Sequence, residues 1–253
     1  MTEPQRVHVD VADGIARVEL ARPAARNALD LPMCWQLREA FEELDADDAV
    51  RAVLLSGRGP VFCAGADLKE RVGKDETWVR RRRLASFAAY AAIEQCRRPV
   101  VALVQGAVVG SGGEITLAAD FALAAEGTVF RFPEPHWGTV GATQRLQRVI
   151  GKRRAKELLF TNRPLDAEEA ARLGVVTRVV PAAELTDAGT ETARSIAAAP
   201  PLAIALTKRA VDLGAETDLD RGIRIELAAI EQNLADGGWR DGVARFAGKG
   251  ERE

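Results

Sequence analysis

Hydrophobic and polar positions along the chain repeat with two different periods. "IARVEL" (15–20) switches between apolar and polar at every residue, the period of a strand with one buried face. "AVLLSG" (52–57) and "VVALV" (100–104) are short unbroken apolar runs and predict buried strands. "DFALAA" and "TVFRF" predict two more strands, and "VVTRVV" a last one. Between these the period lengthens to that of a helix. Asp30 caps a predicted helix with Pro32 in its first turn and Trp35, Leu37, Phe41 and Leu44 on one face. The loop "GRGPVFCAGADLKE" is expected to enter a helix at about Asp67. A further helix carries "WVRRRRLASFAAYAAIEQC" and ends before Pro99, and "LDAEEAARLG" runs from a cap at Asp166 to a stop at Gly174. After Pro181 the pattern predicts helices near 182–199, 201–213 and 218–235, then a short one in "WRDGVARFA". Strands alternating with helices define an α/β fold. The strands cease near residue 195, which sets a soft boundary between 1–195 and 196–253.

Composition narrows the function classes. The chain has 253 residues and a formal net charge of −2, from 35 basic and 37 acidic side chains, so it has no global pull toward nucleic acid or an anionic membrane. The run Arg80 to Arg83 reads as a solvated helix face. No apolar run approaches the ~20 residues that span a bilayer. Cys34, Cys63 and Cys96 form neither a CxxC pair nor metal-ligand spacing, and this pattern leads to the expectation of a reducing, cytoplasmic setting. Two histidines, His8 and His136, are too few for a histidine-rich metal site.

Candidate chemistry concentrates in "VVALVQGAVVGSGGEITLAAD" (100–120), where an apolar strand runs into Gly110, Gly112 and Gly113 and then a lone carboxylate, Glu114. A dinucleotide fingerprint would need a third glycine where Ile115 stands. A nucleophile elbow around Ser111 would need a glycine where Val109 stands. Two readings remain open on the residues alone. One is an ordinary tight turn with Glu114 favoured by the helix dipole. The other is an oxyanion site, in which unpaired amides at a helix start face a developing negative charge and a nearby carboxylate moves protons. That second reading asks for another amide donor and another acid. The turn Ala64-Gly65-Ala66 is a candidate for the donor. Glu134 is a candidate for the acid: it lies between two prolines and beside Phe130, Phe132 and Trp137, a setting that raises a carboxyl pKa.

Taken together these segments resemble the crotonase superfamily of enoyl-CoA hydratases and isomerases. "ARVELARPAARNALD", "FCAGADLKE", "PVVALVQGAVVGSGGEITLAADFALAA", the long stretch from "FRFPEPHWG" through "TQRLQRVIGKRRAKELLFTNRPLDAEEAARLGVVTRVV", and "RDGVARFAGK" match the family's motifs in order and spacing over nearly the whole chain. The resemblance implies a spiral of repeated ββα units (1–195) that binds acyl-CoA and performs catalysis. It also implies a helical trimerisation region (196–253). The substrate would be an acyl-CoA thioester, with no cofactor beyond the CoA of the substrate itself. The backbone amides of Ala66 and Ser111 would hold the thioester oxygen, although relatives usually have glycine where Ser111 stands. Glu114 would activate water and Glu134 would protonate Cα. Ala25, Arg26, Ala64, Ala66, Asp67, Leu68, Lys69, Gly110 and Lys249 would contact CoA or substrate. A homotrimer or hexamer is implied. The family also contains Δ3–Δ2 enoyl-CoA isomerases, RNA-binding members and catalytically silent CoA binders as alternatives. The loop "GTVGATQRL" after Glu134 is a few residues shorter than the family's usual glycine-rich loop.

Overall fold

Val7–Ala12 (β1) and Ile15–Leu20 (β2) form an antiparallel hairpin whose two connecting residues, Asp13 and Gly14, have φ of 54° and 74°. A two-residue turn with both φ values positive matches the natural twist of the paired strands. The computed structural model describes residues 4–240 and 242–244. Leu31–Ala46 (α1) follows. The Asp30 carboxylate accepts the Met33 amide at 3.0 Å, and Met33, Cys34, Leu37, Phe41 and Leu44 form the buried face. Trp35 does not belong to that face: it is 40% exposed and stacks under the Arg81 guanidinium. It lies two residues from Leu37, which on a helix is nearly the opposite side.

The remaining elements of the first unit are Ala52–Gly57 (β3), Glu76–Gln95 (α2), Val100–Val104 (β4), Ala107–Val109 (β5), Ser111–Ala118 (α3), Phe121–Ala125 (β6), Val129–Arg131 (β7), Gln144–Ile150 (α4), Lys152–Thr161 (α5), Leu165–Asp166 (β8), Ala167–Leu173 (α6), Arg178–Val180 (β9) and most of Leu185–Ala197 (α7), which ends three residues past that unit's edge. The strands build a six-stranded sheet in the order β1-β2-β3-β4-β6-β9, parallel beyond the first hairpin, and a small sheet in the order β5-β7-β8. A strand of the large sheet is followed by one of the small sheet twice over, β4 by β5 and β6 by β7. In the first case the helix α3 comes next. The core is largely apolar, with Phe41, Phe62, Phe130 and Phe132 among its largest fully buried side chains.

No α-helix starts at Asp67. A single 3-10 turn, Lys69–Arg71, stands there, and α2 begins at Glu76 under a cap from Asp75, whose carboxylate accepts the Trp78 amide at 2.8 Å. Asp67 is otherwise engaged: its carboxylate pairs with Arg22 at 3.1 Å and accepts the Lys69 amide. Gly73, at φ 73°, then separates the turn from the true helix start.

The chain divides into two compact units, Met1–Arg194 and Ser195–Glu253. In the second, Pro201–Ala215 (α8) packs against Leu219–Asp236 (α9). Gly214 and Gly222 let the two backbones approach closely. Val211, Leu219, Ile223, Leu227, Ile230 and Leu234 remain between 44% and 77% exposed. Among the described residues, no helix is long and apolar enough to cross a membrane.

Candidate active site

Two backbone turns are stapled side by side. The Val109 amide donates to the Cys63 carbonyl at 3.0 Å, and the Cys63 amide to the Ala107 carbonyl at 3.3 Å, so residues 62–66 run beside β5. On the other edge, the Leu29 amide donates to the Gly65 carbonyl, the Asp67 amide to the Leu29 carbonyl, and the Ala64 amide to the Arg26 carbonyl. These bonds use the amides of Ala64 and Asp67 but not that of Ala66. The start of α3 behaves alike: the Gly110 amide reaches the Arg131 carbonyl at 2.9 Å, and the Glu114 amide bonds the Gly110 carbonyl. Among the described residues, neither the Ala66 nor the Ser111 amide has an acceptor within the chain. Both residues line one cavity of about 90 Å³. Two unpaired N–H groups at such a cavity are suited to stabilise a localised negative charge.

The glycines make this approach possible. A Cβ on Gly112 would stand 2.6 Å from the Cys63 carbonyl oxygen, and one on Gly113 would collide with the Phe132 ring. Gly110 has φ 48°, and a Cβ there would lie 2.7 Å from Glu134 Oε1.

The two acids of the cavity differ in environment. Glu114, 5% exposed, accepts the Ala142 amide at Oε1 (2.7 Å) and Arg145 Nη1 at Oε2 (3.2 Å). Arg145 also pairs with Glu94 at 2.7 Å and lies over the Tyr90 ring. Glu114 is thereby fixed as an acceptor. Glu134 opens the 3-10 turn Glu134–Trp137, and its Oε2 is buried with no hydrogen-bond partner. Burial pushes its pKa up; the charge of Glu114 adds to the rise, while a backbone hydrogen bond and Arg83 oppose it. The shift is toward the protonated form, the direction a proton donor needs.

The Arg80–Arg83 run is not a uniformly solvated face. Arg82 is 1% exposed; it bonds Glu70 at 2.7 Å, the Ser86 hydroxyl and the Leu29 carbonyl. Arg83 donates to the Val140 carbonyl at 2.8 Å and to the Thr139 hydroxyl, clamping the short connection that follows Glu134. Gly141 in that connection packs on Glu134 Cγ, and the buried Ala142, held at φ 53°, points its amide at Glu114. Replacing Arg83 by leucine is expected to lower kcat/KM about tenfold or more, since small displacements of reacting groups are costly. It should also move the alkaline limb of the rate profile to higher pH, because one of the two influences that hold the Glu134 pKa down is gone. A pH–rate profile of the variant checks both effects.

Of the residues singled out in the sequence, Ala64, Ala66, Leu68, Gly110, Ser111, Glu114 and Glu134 line the cavity. Ala25, Arg26, Asp67 and Lys69 do not. Ala25 and Arg26 form the turn joined to Ala64, Asp67 is tied to Arg22, and Lys69 is exposed. Lys249 lies outside the described residues. Sequence reasoning missed Arg71, Arg82, Arg83 and Tyr90, all of which line the cavity. Burial raises the Tyr90 phenol; the Ser111 hydroxyl acts in the opposite direction and Glu114 adds to the rise.

A parallel-stranded α/β core with a small second sheet, paired free amides and two buried acids defines a class of site, and known proteins resemble this chain in sequence and fold. Residues 10–253 match the family model described as enoyl-CoA hydratase/isomerase. The enoyl-CoA hydratase domain-containing protein 2, mitochondrial, of Bos taurus is 38% identical over 93% of this chain and 82% of its own length. The short-chain-enoyl-CoA hydratase of Clostridium acetobutylicum is 32% identical over 93% of this chain and 92% of its own. The crystal structure of an enoyl-CoA hydratase from Bacillus anthracis superposes with a TM-score of 0.94 at 35% identity, covering 97% of each chain. The chain belongs to the enoyl-CoA hydratase/isomerase family, and its fold is the crotonase fold.

Proposed function

We propose that the protein is an enoyl-CoA hydratase, adding water across the 2,3 double bond of an acyl-CoA thioester or removing it in reverse. The observation that carries this reading is the meeting, in one cavity, of two unpaired amides with two buried carboxylates, one held by Arg145 and the Ala142 amide and the other with an unpartnered oxygen. The thioester oxygen accepts from the amides of Ala66 and Ser111. Water attacks Cβ as Glu114 takes its proton, and charge moves through the conjugated system onto that oxygen. The amides hold the enolate without having to reorganise. Glu134, carrying a proton, delivers it to Cα, and the two acids exchange roles in the dehydration direction. Ala25 and Arg26, joined to the Ala64–Ala66 turn through the Ala64 amide, and Asp67 and Lys69, which follow it in the chain, are assigned to the CoA moiety.

A Δ3–Δ2 isomerase can operate with one acid, and the second buried carboxylate favours hydration. The test is loss of enoyl absorbance with crotonyl-CoA, run in parallel in D₂O. Deuterium entering Cα with no oxygen added at Cβ would replace hydration by isomerisation.

We further infer a cytoplasmic homotrimer or hexamer. The family resemblance of the C-terminal helices and the apolar residues exposed on α8 and α9 support the assembly. The three buried cysteines, none of them in a disulfide, fit a reducing compartment. Light scattering of the purified protein should return three or six times the 27.2 kDa chain mass, and a monomer would remove the assembly.

A further inference from the structure

Three guanidinium groups line the cavity, and they are not equally occupied. Arg82 is satisfied by Glu70, Ser86 and the Leu29 carbonyl, and Arg83 by Thr139 and Val140. Arg71, the last residue of the 3-10 turn that begins three residues after Ala66, has neither hydrogen bond nor ion pair on its side chain among the described residues. Its Nε is buried without a partner. The neighbouring acids are already committed. Glu70 serves Arg82 and the Leu31 amide, Glu114 serves Arg145 and the Ala142 amide, and burial shifts Glu134 toward its protonated form. Burial, and after it the like charges of Arg82 and Arg83, push the Arg71 pKa down, against smaller opposing effects of Glu70 and Tyr90. A half-buried guanidinium left in this state is costly unless an anion arrives with the ligand.

We propose that Arg71 binds a carboxylate carried at the far end of the acyl chain, so that the preferred substrates are short 2-enoyl-CoA thioesters with a terminal carboxyl group. Arg71 and Ala66 sit on the same short segment at the cavity wall. An acyl group whose thioester oxygen is held at the Ala66 amide therefore needs only a few carbons to bring its other end to the guanidinium. Such a fork pairs two oxygens of a carboxylate at once. The proposal deepens the hydratase reading and rests on it.

The same positive charge could instead serve the phosphates of CoA, and the experiment separates the two sources. Hydration of glutaconyl-CoA, which has the terminal carboxylate, is compared with that of crotonyl-CoA, which lacks it, for the wild type, Arg71→Met and Arg71→Lys. In the wild type kcat/KM should favour glutaconyl-CoA. The ratio should fall about 10- to 100-fold in Arg71→Met, the usual worth of a hydrogen bond to a charged group, and recover in part in Arg71→Lys. A ratio that does not move with the substitution overturns the proposal. That holds equally if both substrates lose together, because the guanidinium then serves CoA. Calorimetric binding of glutaryl-CoA against butyryl-CoA, neither of which can be hydrated, reads the same selectivity without turnover. A failure of the hydratase reading leaves that arm intact: selective binding that is lost in Arg71→Met supports the carboxylate site, and equal affinities refute it.

Discussion

Exchanging Glu134 for glutamine should reduce kcat for hydration about 10²- to 10⁴-fold, the usual contribution of a positioned general acid, with a much smaller change in KM. The amide keeps the shape of the carboxyl group but has no acidic proton to give. Stability should move the other way. In the folded protein the Glu134 pKa lies above its ordinary value, chiefly through burial. The folded state therefore holds this proton more tightly than the unfolded chain. Between the unfolded and folded pKa values, rising pH costs the wild type stability. Glutamine does not ionise, so its melting temperature relative to wild type should climb through that window and stay higher above it. Below the ordinary carboxylate range the difference should vanish. Thermal melts across pH, paired with steady-state kinetics, check both halves. Full hydratase turnover in the variant would remove Glu134 from the proton-donor role.

Gly112→Ala should have the second large effect, although residue 112 bears no reactive group. The new methyl would stand 2.6 Å from the Cys63 carbonyl, which also accepts the Val109 amide. Relief of that clash has to part the two turns that carry the Ala66 and Ser111 amides. Loss of one oxyanion donor typically lowers rate ~10²–10³-fold, and overpacking a tight contact costs about 1–3 kcal/mol of stability. Assays well below the variant's melting temperature separate the two. A near-normal kcat in a folded variant would mean that the paired amides do not hold the developing charge.

What the sequence made legible was local. Asp30 and Asp166 each cap the helix that follows them, and Gly174 ends its helix at φ 81°. The glycine turn before Glu114 is where its composition places it. Elements that depend on partners were harder to read. β5 and β8 are three and two residues long and exist because β7 lies between them. β1 pairs along one edge only, and its residues beyond His8 are exposed. The arginines were the largest blind spot. Arg82 finds the Leu29 carbonyl across 53 positions and Arg83 finds Thr139 across 56. No helical periodicity reveals that a four-arginine run sends two members inward. Asp67 shows the converse: a good capping residue spent on an ion pair with Arg22, which leaves the expected helix unformed.

The connection Thr139–Ala142 leans on one acid through Gly141 and feeds its next amide to the other. Length polymorphism here, natural or engineered, is therefore expected to reseat both carboxylates at once. Laboratory evolution toward bulkier acyl groups by insertion at this point should trade away turnover in the same step, so the more productive route to broader scope runs through the opposite wall.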